Sequence, residues 1–303
     1  MISPGRLWWL FRRDLSRGWE ATFHDYFTVQ KIENWSGVPT GTNPHSVPIH
    51  VLTGAGDWRL AAWMLASFFE ATEHAWPVVI HDDGTLPQAA GDTLRRLFPN
   101  ARIITRAEAD AAIGKQLQRY PFCHEYRSKH PLAQKIFDVP ALTEGKRYMI
   151  FDSDVLFFNH PREIWNWAAV DNEECWFNED IEDAALLTAA EARDDLGVRL
   201  WQRVNSGLGL IYKPAIDLDF MDRVLAETSV LRGKVWRIEQ TLYALCASRH
   251  GKGGLLPARY EVSLSKHAAP DVTARHYVGA VRHRFFAEGL KRLREQLLAS
   301  HEA

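Results

Sequence analysis

The sequence predicts an α/β fold, with a mixed, mostly parallel central sheet flanked by helices. Three observations carry that expectation. Apolar runs of strand length alternate with helix-length stretches through the first hundred residues, as in strands joined by helical crossovers. Two of these runs close on turn-forming clusters, Gly54-Ala55-Gly56 and Asp82-Asp83-Gly84. A chain of 303 residues with 46% hydrophobic and 24% charged side chains suits one large soluble domain.

In chain order, residues 1–45 read as a helical extension and linker, and 46–303 as the main domain. Leu7, Trp8, Leu10 and Phe11 alternate there with Arg6, Arg12, Arg13 and Arg17, which reads as a basic amphipathic helix. Such a helix either packs on the domain with its arginines in water, the more ordinary case, or makes peripheral contact with an anionic membrane through residues 1–20. Pro39, Gly41, Asn43 and Pro44 mark a linker. Residues 47–53 form a buried strand. A helix over 58–71 follows, with Leu60, Trp63, Met64, Ser67 and Phe68 at helical spacing and Asp57 as N-cap. Further strands are expected at 76–81, 101–105, 148–158, 175–178 and 207–212. Helices are expected at 91–98, 131–142, 240–248 and 290–299, and a charged helix or insert at 184–198.

A net charge of −2 gives no bulk attraction for nucleic acid. Cys123, Cys175 and Cys246 are widely spaced and lack zinc-site spacing, so free thiols in a reducing cytoplasm are expected. The apolar stretch 7–11 runs into Arg12 and Arg13 and does not read as a signal peptide. No apolar run reaches the roughly 18 residues of a membrane span. A cytoplasmic protein, with the first helix at the inner membrane face in the second reading, is therefore expected. The Asn34-Trp35-Ser36 acceptor pattern reads as chance without a secretory signal.

The most informative stretch is Met149-Ile150-Phe151-Asp152-Ser153-Asp154-Val155. Two carboxylates two residues apart share one face of an extended chain. Amid apolar neighbours they repel unless a cation compensates, and oxygen ligands suit Mg²⁺ or Mn²⁺. The end of a strand in a parallel sheet is also where such folds bind ligands. The bland alternative is a pair of solvated turn acids.

Strand-Asp-x-Asp resembles the metal motif of the GT-A glycosyltransferases. Arg275-His276-Tyr277-Val278-Gly279-Ala280-Val281-Arg282 resembles the C-terminal His-x-x-Gly-x-x-Lys signature of family 8 retaining glycosyltransferases. The resemblance implies a GT-A fold and a metal held by Asp152, Asp154 and His276. It implies a diphosphate held by Gly279 and Arg282, with arginine in place of lysine. The Pro-Trp that usually follows is replaced by His283-Arg284. Asn205-Ser206-Gly207 is similar to the family's Asn-x-Gly segment facing the sugar, and Glu239-Gln240 to its acidic-Gln pair. Residues 51–54, including Thr53, and 80–84, including Asp83, resemble the strands around the nucleotide base. Lys135, reaching the donor phosphates or pairing with Asp152, and Ser153 complete the expected phosphate side.

Each residue also has an ordinary reading. Lys135 fits an exposed helix lysine equally well, and Asn205 a turn residue. Glu239 fits a helix first turn, and Asp82 and Asp83 fit turn formers before Gly84. The implied activity is metal-dependent transfer of a sugar from a nucleoside-diphosphate donor, a UDP-sugar foremost. Its acceptor would be a hydroxyl of a glycan, a lipid or a small molecule. Two rivals share the residues: a haloacid-dehalogenase-type phosphatase, which also carries Asp-x-Asp after a strand, and a non-catalytic nucleotide-binding module.

Overall fold

The computed structural model describes residues 3–39 and 47–299. Most of the expected linker, from Gly41 to Pro44, lies outside the described residues. The strands are β1 (Ile49–Thr53), β2 (Val78–Asp82), β3 (Ala101–Ile104), β4 (Arg147–Phe151), β5 (Val155–Phe157), β6 (Cys175–Glu179), β7 (Val204–Tyr212), β8 (Gly253–Leu255), β9 (Tyr260–Val262) and β10 (Ala274–His276). Seven form the main sheet in the order β3-β2-β1-β4-β7-β6-β8. The first four run parallel, β7 is antiparallel to both neighbours, and β8 is parallel to β6. This is the mixed, mostly parallel sheet that the alternating pattern predicts.

Alternation along β4 shows how the sheet sorts its core. Met149 and Phe151 join one buried cluster, with the helix Trp58–Thr72, while Tyr148 and Ile150 join the other. Helices Ala133–Leu142, Leu218–Glu227 and Val235–His250 cover that second face. The helix Trp58–Thr72 is buried on nearly every side because it lies between the main sheet and β5. The sequence shows only the heavy apolar loading that this requires. A helix not anticipated from sequence spans Arg106–Leu117; its signal was the Thr105/Glu108 capping box.

Two local expectations are corrected. The strand expected over 148–158 is two strands in two sheets. β4 belongs to the main sheet, and β5 pairs antiparallel with β10 in a small sheet of order β5-β10-β9. Asp152-Ser153-Asp154 is the turn between them, closed by Val155 N–H donating to the Asp152 carbonyl at 3.2 Å. The two aspartates are therefore not i, i+2 neighbours on one extended face. Asp57 is the residue before the helix Trp58–Thr72, but its side chain does not cap it. The carboxylate turns instead to Arg282, 2.9 Å away.

The N-terminal segment divides in two. Val29, Ile32 and Trp35 belong to the first core cluster, and Trp63 Nε1 donates to the Val29 carbonyl at 2.9 Å. The preceding helix Pro4–Arg17 leaves Leu7, Trp8, Trp9 and Phe11 exposed, unlike a helix packed on the domain by its apolar face. No helix among the described residues is long and apolar enough to cross a membrane. All three cysteines are buried and free, and burial pushes the Cys175 and Cys246 thiols up to about 12.

Candidate active site and metal centre

The site forms where β4 ends and the chain turns into β5. Pairing of β10 with β5 sets His276 opposite Val155, one residue past Asp154. Tyr277 N–H donates to the Asp154 carbonyl at 2.9 Å and fixes that register. One ligand atom each from Asp152, Asp154 and His276 lies within 4.8 Å of the others. His276 Nε2 is 3.1 Å from Asp154 Oδ1 and 3.8 Å from Asp152 Oδ2.

Asn205 and Gly207 of β7 fix the imidazole. His276 Nδ1 is 2.8 Å from Asn205 Oδ1, so the N–H sits on Nδ1 and Nε2 faces the carboxylates. The same Asn205 oxygen accepts from Gly207 N at 3.0 Å, and Nδ2 donates to Asp180 Oδ2 at 2.9 Å. A Cβ on Gly207 would lie 2.1 Å from His276 Cε1. Glycine is required here for close approach, not for a positive φ. Asn205→Ala should remove this support and weaken metal binding by about 10–100-fold. Calorimetric Mn²⁺ titration of both proteins checks this, and an unchanged affinity would contradict the arrangement.

Lys135 is buried, which excludes the exposed-lysine alternative. Its Nζ is 2.8 Å from Asp152 Oδ1, 3.1 Å from Glu239 Oε1 and 3.3 Å from the Ser206 carbonyl. Burial opposes its charge, yet Asp152 and Glu239 hold the ammonium above the usual lysine range. Glu239 is buried and accepts from Ser206 Oγ at 2.9 Å; burial pushes its carboxyl up despite Lys135. Gln240 Oε1 accepts from Ser206 N at 3.3 Å, and its Nε2 donates to Asp180 Oδ2 at 3.4 Å.

Burial likewise opposes charge on His276, but Asp154 and Asp152 hold it above the ordinary histidine range. Asp154 is held low by His276 and Arg282 against its burial. Arg282 Nε is 3.5 Å from Asp154 Oδ2. The donor set, two carboxylates and one imidazole nitrogen with a fixed tautomer, fits a divalent ion such as Mn²⁺ or Mg²⁺.

The sequence matches no protein-family model and no curated protein. Solved structures do match. Mouse xyloside xylosyltransferase 1, in its apo form, is 10% identical, with TM-score 0.56 over 78% of this chain and 99% of that one. The galactosyltransferase LgtC, in complex with donor and acceptor sugar analogs, is 17% identical, with TM-score 0.55 over 85% of this chain and 97% of that one. The bifunctional glycosyltransferase WbbM, apo, is 12% identical, with TM-score 0.52 over 80% of this chain and 47% of that one.

The chain has a GT-A fold.

On that GT-A fold the residues expected from sequence fall into three groups. Asp152, Asp154, His276, Asn205, Gly207, Lys135, Glu239, Gln240 and Arg282 form one connected network. Ser153 is buried in the turn between the aspartates. Gly279 begins a short 3₁₀ turn with open space where a Cβ would stand. It lines a cleft of about 250 Å³ together with Gln240, Asp180 and Trp236. Thr53 and Asp83 stand apart, at the ends of the adjacent β1 and β2. Thr53 Oγ1 is buried without a hydrogen-bond partner among the described residues. Asp83 Oδ1 accepts from Thr85 N and Oγ1, and Asp82 Oδ1 from Gly84 N and Leu86 N, so both carboxylates form the turn.

Sequence reasoning missed Asp180, Ser206 and Asp57. Asp180 follows the buried strand β6 as Asp152 follows β4, and that placement was its signal. Arg203, just before β7, adopts a left-handed φ of 59° while its carbonyl accepts from Asp180 N and its Nε donates to the Asp180 carbonyl. Local strain of this kind concentrates at functional sites.

Proposed function

We propose that this chain transfers a sugar from a nucleoside-diphosphate sugar to an acceptor hydroxyl, with Mn²⁺ or Mg²⁺ held by Asp152, Asp154 and His276. The observation that carries this reading is the convergence of those three ligand atoms within 4.8 Å, at the strand end where the sheet changes direction. The fold shared with sugar-transferring enzymes adds to it. A divalent ion there would supply Lewis-acid stabilisation of charge on the departing diphosphate.

The chain's own residues divide the rest of the work. Lys135 offsets the charge of Asp152 and Glu239, and Asn205 holds His276 in the ligand tautomer. Arg282 adds positive charge beside Asp154 on the phosphate side, where Gly279 and Ser153 offer close backbone approach. Gly207 leaves the imidazole its space. Thr53 and Asp83 flank the base. The acceptor oxygen bonds to the anomeric carbon as the carbon–phosphate-oxygen bond breaks, and the nucleoside diphosphate leaves with the electron pair. The likeness of residues 276–282 to the family 8 signature supports retention. In a front-face displacement of that kind the acceptor proton passes to the leaving phosphate oxygen, beside Gln240 and Glu239. A UDP-sugar donor and a glycan, lipid or small-molecule acceptor follow from the same likeness. The buried free thiols suit a reducing, cytoplasmic setting.

The test is a thermal-shift screen of UDP, GDP, CDP and dTDP, each with and without Mn²⁺. One nucleotide should stabilise the chain only with metal, by about 2.7 kcal/mol at a hundredfold excess over its Kd. Stabilisation by none, with phosphate released from an aryl phosphate, would put the phosphatase reading in its place.

A further inference from the structure

Thirteen large apolar side chains are conspicuously exposed among the described residues, and nine of them lie between Leu7 and Phe27. Soluble surfaces carry scattered apolar residues, but a cluster on one short segment marks an interaction surface. The helix Pro4–Arg17 begins at Ser3, whose hydroxyl accepts from Arg6 N at 3.3 Å. Leu7, Trp8, Phe11 and Leu15 stand on one stripe of that helix, with exposures of 55–67%. The Trp8 and Phe11 rings stack at 5.8 Å, and Trp19, just beyond the helix, is 77% exposed.

Charge accompanies the stripe. The helix carries four arginines against one aspartate, in a chain whose net charge is −2. The Arg12 guanidinium lies 5.8 Å from the Trp8 ring centre and Arg13 5.5 Å from that of Trp9. Arg6 and Arg12 are exposed.

The segment is tied to the body behind this face. Ala21, His24 and Thr28 are buried, and Lys291 Nζ lies 2.8 Å from Glu20 Oε1. The turns Trp19–Phe23 and His24–Thr28 pack on Phe285–Leu290, the stretch directly after Arg282. The exposed face is thus carried on the arm that supplies Arg282 to the site.

We propose that the helix Pro4–Arg17 and the turns after it dock on an anionic lipid surface. A shaped protein groove takes one apolar stripe. This helix exposes a stripe and also Trp9 on its arginine side, which a fluid headgroup region accommodates. Tryptophan settles at the membrane–water interface, and arginine pairs with anionic headgroups. Docking in this way would hold the Arg282 arm close to the lipid surface. The proposal does not depend on the sugar-transfer reading, because lipid binding requires neither nucleotide nor metal.

The experiment is co-sedimentation of the full chain with vesicles of phosphatidylglycerol and phosphatidylcholine, and with phosphatidylcholine alone. The chain should pellet with the anionic vesicles, less so in high salt, and its tryptophan emission should shift to the blue. The double variant Leu7→Glu/Phe11→Glu should lose about tenfold or more of this binding. Arg6→Glu/Arg12→Glu should lose it on anionic vesicles. All four positions are exposed, so both variants should keep the wild-type melting temperature and nucleotide response. Absence of pelleting with either vesicle, or equal binding to both, would overturn the proposal. So would a wild-type dimer in solution that Leu7→Glu/Phe11→Glu dissociates, since the face would then belong to a second copy.

Discussion

Replacing Asp154 by asparagine should lower metal-dependent donor turnover by about 10²–10³-fold or more while leaving the fold in place. Asparagine keeps the shape of the side chain but removes the charge that faces His276 Nε2 at 3.1 Å and Arg282 Nε at 3.5 Å. The groups left behind are not stranded. Arg282 retains Asp57 at 2.9 Å, and His276 retains Asn205 and can shed its proton. The variant should therefore melt near the wild-type temperature, and its loss should appear in turnover. The measurement is nucleoside-diphosphate release from the donor nucleotide identified by thermal shift, across a Mn²⁺ titration. Wild-type turnover in Asp154→Asn at every metal concentration would remove the aspartate pair from the mechanism.

Gly207→Ala should lose both stability and metal response, although it adds only a methyl group. The new carbon would stand 2.1 Å from His276 Cε1 and 2.3 Å from Nδ1, distances that no side-chain adjustment on its own strand relieves. The imidazole is buried between Asn205 and the aspartates, so yielding means breaking the 2.8 Å contact to Asn205 or leaving the metal position. Overpacking of this kind costs about 1–3 kcal/mol, and loss of ligand orientation costs about 10–100-fold in metal affinity. The double variant Gly207→Ala/His276→Ala separates the two effects. Removing the ring should restore the melting temperature but not the Mn²⁺ response. A Gly207→Ala protein that melts and binds Mn²⁺ like wild type would show that the imidazole does not pack as described.

The strands β1 to β3 were legible as short apolar runs at 47–53, 76–81 and 101–105 between helical stretches; β1 and β2 are largely buried, and β3, the edge strand, keeps Arg102 exposed. The Asp-x-Asp segment was legible for a related reason: acids between Phe151 and Val155 are conspicuous. Its geometry was not. The sequence reads as one extended strand, whereas the chain turns at Asp152-Ser153-Asp154 because β5 leaves the main sheet to pair with β10, more than a hundred residues later. Lys135 was ambiguous on its helix: pairing with Asp152 was one reading, and nothing local reveals that Glu239 closes over it as well. Asp57 sits where an N-cap belongs, and only the distant Arg282 explains why its side chain does not serve as one.

By itself, then, the sequence determined the layered α/β architecture, the alternation of its first strands and helices, and which residues stand as candidates for the chemistry. These follow from local pattern: apolar periodicity, turn formers, and charges placed where charges are costly. Tertiary structure alone decided which of those residues meet. It brought His276 to the aspartates through a strand pairing, assigned its tautomer through Asn205, made Gly207 indispensable, added Asp180 and Ser206 to the network, and left Leu7, Trp8 and Phe11 uncovered. Such facts depend on contacts between segments far apart in the chain, and local pattern does not encode which distant surface a side chain will face.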